Sequence, residues 1–92
     1  MIRVRFLRSF DDSLEAVPAK DQARARASIG RLLDYFDGGP RPQELGLRKL
    51  SRGYWEIRAG LDRRIIFSLE DDLATFILAG SHDEVRRLLR AL

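Results

Sequence analysis

Ile2, Val4 and Phe6 alternate with Arg3 and Arg5, the period-two rhythm of a strand that buries one face. The rhythm then turns helical. Ser9 stands where a cap belongs, ahead of Phe10, Leu14 and Val17 on one face of a short helix that Pro18 interrupts. Over residues 20–37, Ala25, Ile29, Leu32, Leu33 and Phe36 recur at helical spacing while Arg24, Arg26, Arg31 and Asp34 fall elsewhere. Gly38-Gly39-Pro40 ends that helix. After a loop containing Pro40 and Pro42, residues 47–50, 54–59, 63–70 and 73–79 are rich in β-branched and aromatic side chains. Gly60-Leu61-Asp62 and Asp71-Asp72 separate the last three, so the region reads as a β-meander. Ser81 and Glu84 have the spacing of a capping box for a final helix, with Val85, Leu88, Leu89 and Leu92 on its inner face. That helix is too short to be stable alone, which predicts packing against the sheet or a partner.

This order, β-α-α-β-β-β-α, predicts an α+β fold. The sheet is small, mostly antiparallel and four-stranded, with two N-terminal helices laid on one face and a short C-terminal helix. With 92 residues, 45% hydrophobic and 34% charged, the chain is expected to form a single domain over residues 1–92 with a modest core of its own. It contains no cysteine, which suits a reducing cytoplasm and excludes thiolate zinc sites and cysteine nucleophiles. His82 is its single histidine, so a histidine-rich metal site is excluded and no metal or cofactor is expected. No run approaches the roughly 20 apolar residues that span a bilayer. A cytoplasmic protein without a membrane role is the expectation.

The net charge of +3 conceals a bias, because Lys20 and Lys49 are the only lysines among 17 basic residues. Arginine offers a planar fork that grips phosphate bidentately, where lysine offers a point charge. A GC-rich genome or adaptation to heat would give the same bias.

Matching apolar faces across the central hairpin sets Trp55 and Ile57 against Phe67 and Ile65, which leaves Gly60-Leu61-Asp62 as its loop. On the reverse face Arg58 then stands opposite Arg64, and two like charges across a ladder repel. A bound anion would relieve that repulsion. Tyr54 shares the face and can stack on a base, while Arg48, Lys49 and Arg52 extend the basic cluster toward a nucleic-acid backbone. The alternative is a solvated face whose arginines pair with Glu56 and other acids. His82 begins the last helix, and an imidazole there is suited to proton transfer near neutral pH or is simply a solvent-facing helix-start residue.

The run from Leu47 through Leu50, Gly53-Tyr54-Trp55-Glu56-Ile57-Arg58-Ala59-Gly60-Leu61-Asp62-Arg63-Arg64-Ile65-Ile66-Phe67 and on to the closing Gly80 resembles the RelE/ParE toxin superfamily. The resemblance extends over nearly the whole chain. It implies the toxin of a type II toxin–antitoxin system, with a cognate antitoxin laid as a helix or strand across the exposed groove. It implies further a ribosome-dependent endonuclease that cuts mRNA by attack of a ribose 2′-hydroxyl on the adjacent phosphate. Arg58 and Arg64 match the family's two strand arginines, with His82 completing the catalytic set. Arg48, Lys49, Arg52, Tyr54 and Arg86 are the implied RNA-binding residues. Many relatives follow the closing glycine with an arginine and then a tyrosine, positions taken here by His82 and Arg86. That departure implies either a proton relay through His82 or a domain without nuclease activity. The same family also contains ParE-like toxins that act on DNA gyrase without being nucleases, and a nontoxic interaction module is a third reading of the fold.

Overall fold

The computed structural model describes residues 2–91, so the expectation for Leu92 lies outside the described residues. In chain order the elements are β1 (Arg3–Phe6), α1 (Arg8–Glu15), α2 (Ala19–Phe36), a 3-10 turn (Gln43–Leu45), β2 (Arg48–Lys49), β3 (Tyr54–Arg58), β4 (Arg64–Glu70), β5 (Leu73–Gly80) and α3 (His82–Ala91). The strands form one sheet in the order β1-β5-β4-β3-β2. This sheet has five strands where four were expected, because the two residues of β2 pair with β3 as a separate edge strand. It is also mixed: β1 runs parallel to β5, and every other pairing is antiparallel. A parallel neighbour requires a crossover, and α1 with α2 and the following strands supply it.

The central hairpin has the expected register, with Trp55 opposite Phe67, Ile57 opposite Ile65 and Arg58 opposite Arg64. Gly60 opens its loop at φ +88, a left-handed conformation that costs glycine little. One sheet face packs on α1 and α2. There Phe10, Leu32, Ile57, Ile65, Phe67 and Phe76 join a single buried cluster, with ring centroids 5.8 Å apart for Phe10 and Phe76 and 5.4 Å for Phe67 and Phe76. The stripe on α2 behaves as its spacing requires: Ala25, Ile29 and Leu32 are buried, and Leu33 and Phe36 pack at the margin.

Not all helices share that face. Ile66 and Val85 are buried yet stand outside the main cluster, and α3 packs on β4 and β5. Since Ile66 alternates with Ile65 and Phe67, α3 covers the opposite side of the sheet. Two other expectations change. Ser9 is not the cap of α1, which starts after Leu7 without a side-chain cap. Its hydroxyl instead donates to the carbonyl of Ile77 at 2.7 Å, where a bulge shifts the β4–β5 register. A bulge interrupts the ladder, so a nearby hydroxyl is the natural partner for a displaced carbonyl. Val4 and Phe6 remain 36% and 46% exposed, because β1 is an edge strand whose apolar face is only partly covered.

Candidate functional site

On β3, Ile57 is fully buried in the core, so Glu56 and Arg58 must point to the other side of the sheet. Glu56 is nevertheless only 5% exposed. A carboxylate that deep needs charged or hydrogen-bonding partners. It has two. Arg48, directly opposite on β2, reaches Glu56 Oε2 with Nη2 at 2.7 Å and Nε at 3.0 Å. Arg64 Nε approaches Oε1 at 3.6 Å from β4. Glu56 thus bridges the arginines of the two neighbouring strands.

The facing pair Arg58 and Arg64 is accommodated by unequal treatment. Arg64 turns toward Glu56. Arg58 instead lies across Gly46, where a β-carbon would stand only 2.9 Å from Arg58 Cγ and Cδ. Gly46 closes the 3-10 turn at φ +63, so both its backbone angle and its missing side chain serve the placement of Arg58. No carboxylate lies within 4.0 Å of Arg58 among the described residues.

His82 arrives by the other route. Arg64 pairs with Gly80 at the end of β5, so the chain leaving that strand delivers Ser81 and His82 beside Arg64. The capping box forms as its spacing required: Glu84 N donates to Ser81 Oγ at 3.2 Å, and Ser81 N donates to Glu84 Oε1 at 3.1 Å. The Ser81 amide holds the Glu84 carboxyl below its ordinary value of 4.5, which extends the ionised cap further into acid. His82 is therefore carried on a helix terminus anchored by two reciprocal hydrogen bonds.

These elements enclose a groove of about 170 Å³ lined by Gly46, Arg48, Glu56, Arg58, Arg64 and His82. A larger hollow of about 280 Å³ adjoins it across Arg64 and His82, lined also by Leu61, Asp62, Ser81 and Asp83. The smaller groove is the chemically equipped one, since it collects three guanidinium groups, a carboxylate and an imidazole.

No family model matches the sequence, and no curated protein does. Solved structures do match. The YafQ–DinJ complex of E. coli gives a TM-score of 0.78 at 19% identity, covering 92% of this chain and 98% of the other. The RelB–RelE antitoxin–toxin complex of Methanococcus jannaschii gives 0.71 at 19% identity, covering 91% and 96%. The archaeal RelE–RelB complex of Pyrococcus horikoshii gives 0.64 at 21% identity, covering 87% and 93%. This chain has the RelE-like toxin fold.

Within that RelE-like fold, the residues singled out in the sequence separate into two groups. Arg48, Arg58, Arg64 and His82 meet in the groove. Lys49 does not: it pairs with Trp55, and its Nζ sits 5.9 Å from the indole centroid. Alternation puts it on the face opposite Arg48. Arg52 sits in the exposed turn between β2 and β3 with φ 58. Tyr54 shares the face of Glu56 two residues away, half-buried opposite Ser68. Arg86 is exposed one turn along α3 from His82. Tyr54, Arg52 and Arg86 therefore do not line the groove. Two lining residues had no functional role in the sequence reading. Glu56 was only a partner for arginines, although an acid between Tyr54 and Arg58 on a polar face signals a designed pair. Gly46 carried no signal, because its role depends on a side chain from another strand.

Proposed function

We propose that this chain is the toxin of a type II toxin–antitoxin pair and that its groove cuts messenger RNA on the ribosome. The supporting observation is the convergence of Arg48, Arg58, Arg64, Glu56 and His82 around one groove. RNA carries its own nucleophile, the 2′-hydroxyl, so a nuclease must supply a proton acceptor, a proton donor and charge stabilisation. Glu56 takes the proton of the 2′-hydroxyl as that oxygen bonds to phosphorus. The bond from phosphorus to the 5′-oxygen then breaks, and His82 as imidazolium donates a proton to the departing oxygen. The products are a 2′,3′-cyclic phosphate and a 5′-hydroxyl.

Arg58 and Arg64 stabilise the phosphorane-like transition state, and neither can act as a base because arginine stays protonated. An arriving phosphate competes with Glu56 for Arg48 and Arg64. In the free protein that ion-pair network keeps the two arginines in place, and in the complex it releases the carboxylate toward the 2′-hydroxyl. Glu56→Gln should reduce cleavage by about 10²–10⁴-fold, the range of general acid–base catalysis.

The neighbours solved as toxin–antitoxin complexes support an antitoxin partner for this chain. Its acidic segment covers the groove, drawn by the basic rim. Arg48→Glu with Arg52→Glu should weaken the complex and reduce the salt sensitivity of what remains, whereas unchanged binding would put the antitoxin on another surface.

Induced expression without antitoxin tests the proposal as a whole. Protein synthesis should stop before DNA replication falters. Replication that stops first, with double-strand breaks and continuing translation, would replace this reading with gyrase inhibition.

A further inference from the structure

A third hollow, of about 360 Å³, opens on the other side of Arg58 and is lined by Arg24, Arg31, Glu44, Arg58, Gly60 and Leu61. Arg58 borders both this hollow and the groove, so the two are contiguous. Arg24 and Arg31 are seven residues apart on α2, which puts them on one helix face about 10 Å apart along the axis. Arg24 is held near the hairpin, its Cδ 3.5 Å and Nη1 3.7 Å from where a β-carbon on Gly60 would stand.

The charge here is weakly compensated. Arg24 has Asp21 at 3.8 Å, one turn back on the same helix. Arg31 donates to Ser28 Oγ at 3.4 Å, and no carboxylate lies within 4.0 Å of it among the described residues. Glu44 is the single carboxylate against three guanidinium groups lining the hollow. Such a concave arrangement favours an anion, and guanidinium forks match phosphate geometry.

We propose that the hollow between α2 and the β3–β4 hairpin is a second phosphate subsite, which takes an RNA phosphodiester beside the one held in the groove. The inference rests on the RNA-cleaving reading and extends it. Arg58 links the subsites: it faces the reacting phosphate on one side and contributes to holding the flanking one on the other. Arg24 and Arg31 then bind and orient RNA without touching the reacting atoms. The phosphodiester comes from the message strand itself or from ribosomal RNA.

The test is a salt titration of binding to a fully 2′-O-methylated single-stranded RNA, which cannot be cleaved through its 2′-oxygen. For Arg24→Ala/Arg31→Ala, affinity should fall and the log–log salt slope should shrink by about 0.7 for each phosphate that the protein no longer neutralises. A charge-matched control, Arg26→Ala/Arg90→Ala, removes two exposed arginines from outside the hollow and should leave the slope as in the wild type. The same variants are titrated against ribosomes. A slope change with the free RNA assigns the phosphodiester to the message strand, and a change with ribosomes alone assigns it to ribosomal RNA. An unchanged slope in both, or an equal change in the control, would overturn the subsite. Wild-type protein that binds the methylated RNA but leaves ribosome-bound message intact would sink the nuclease reading alone, since the titration needs no cleavage.

Discussion

The two faces of the sheet solve opposite problems with the same strands. On the face under α1 and α2, Ile57, Ile65, Phe67 and Phe76 exclude water and need no polar partner. On the reverse face α3 covers β4 and β5 and buries Ile66, while Arg48, Glu56, Arg58 and Arg64 crowd the uncovered side near β2 and β3. Removing an atom from the first face leaves a void, whereas removing one from the second leaves an unbalanced charge. The large apolar core therefore lies on one side and the clustered charge on the other, one residue apart along each strand.

Phe67→Ala removes a fully buried ring that packs between Phe36 and Phe76, and it should cost about 3–5 kcal/mol. Denaturant melts should show a large loss of stability, with activity falling only as the folded fraction does. Arg58→Ala and Arg64→Ala should do the reverse. Each should lower single-turnover cleavage of ribosome-bound message by about a hundredfold or more, the cost of losing one preorganised donor, and that loss should persist after correction for the folded fraction. His82→Ala should fall less far. A wild-type rate in a folded His82→Ala protein would remove His82 from the mechanism.

Gly46→Ala should disturb stability and chemistry at once. The left-handed angle alone should cost about 1–2 kcal/mol. The new methyl also meets Arg58 at 2.9 Å, so cleavage should fall further than the lost stability explains. If rate and stability decline in step, Arg58 does not depend on Gly46 for its position.

The smallest effect concerns the end of the groove at α3. Ser81→Ala should cost about 1 kcal/mol, as loss of a helix cap does. The Glu84 side of the cap is pH-dependent with a definite sign: its folded pKa lies below 4.5, so its contribution is complete above that value and disappears as pH falls through the lowered one. Thermal melts of Glu84→Gln and wild type should therefore differ at pH 7 and converge in acid. A constant difference across that range would mean that the glutamate acts through something other than its charge.

Much of this arrangement was legible in the sequence because one apolar face dictates register. Once Ile57 must meet Ile65, Arg58 must meet Arg64. The capping box was equally readable, since Ser81 and Glu84 satisfy each other within four residues. What the sequence could not supply were contacts between distant segments. Residues 47–50 were legible as an extended segment and Glu56 as a partner for arginines. β2, however, is two residues long and carries no alternation of its own, so neither its pairing as a fifth strand nor Arg48 as the particular partner could be read off. The partner of Ser9 depends on a bulge in β5, and the role of Gly46 depends on Arg58 from another strand. The side chosen by α3 was hidden for a related reason: an amphipathic helix announces that it will pack, not which face of a sheet will receive it.

Addition of purified protein to a cell-free translation reaction, followed by mapping of RNA ends, tests directly whether the open face is a nuclease site. Messages should be cut where ribosomes hold them, leaving 2′,3′-cyclic phosphate and 5′-hydroxyl ends. The folded Arg58→Ala/Arg64→Ala protein should produce none of these ends. Intact messages with the wild type, or undiminished cutting by the double variant, would contradict the account and leave those arginines as a solvated face.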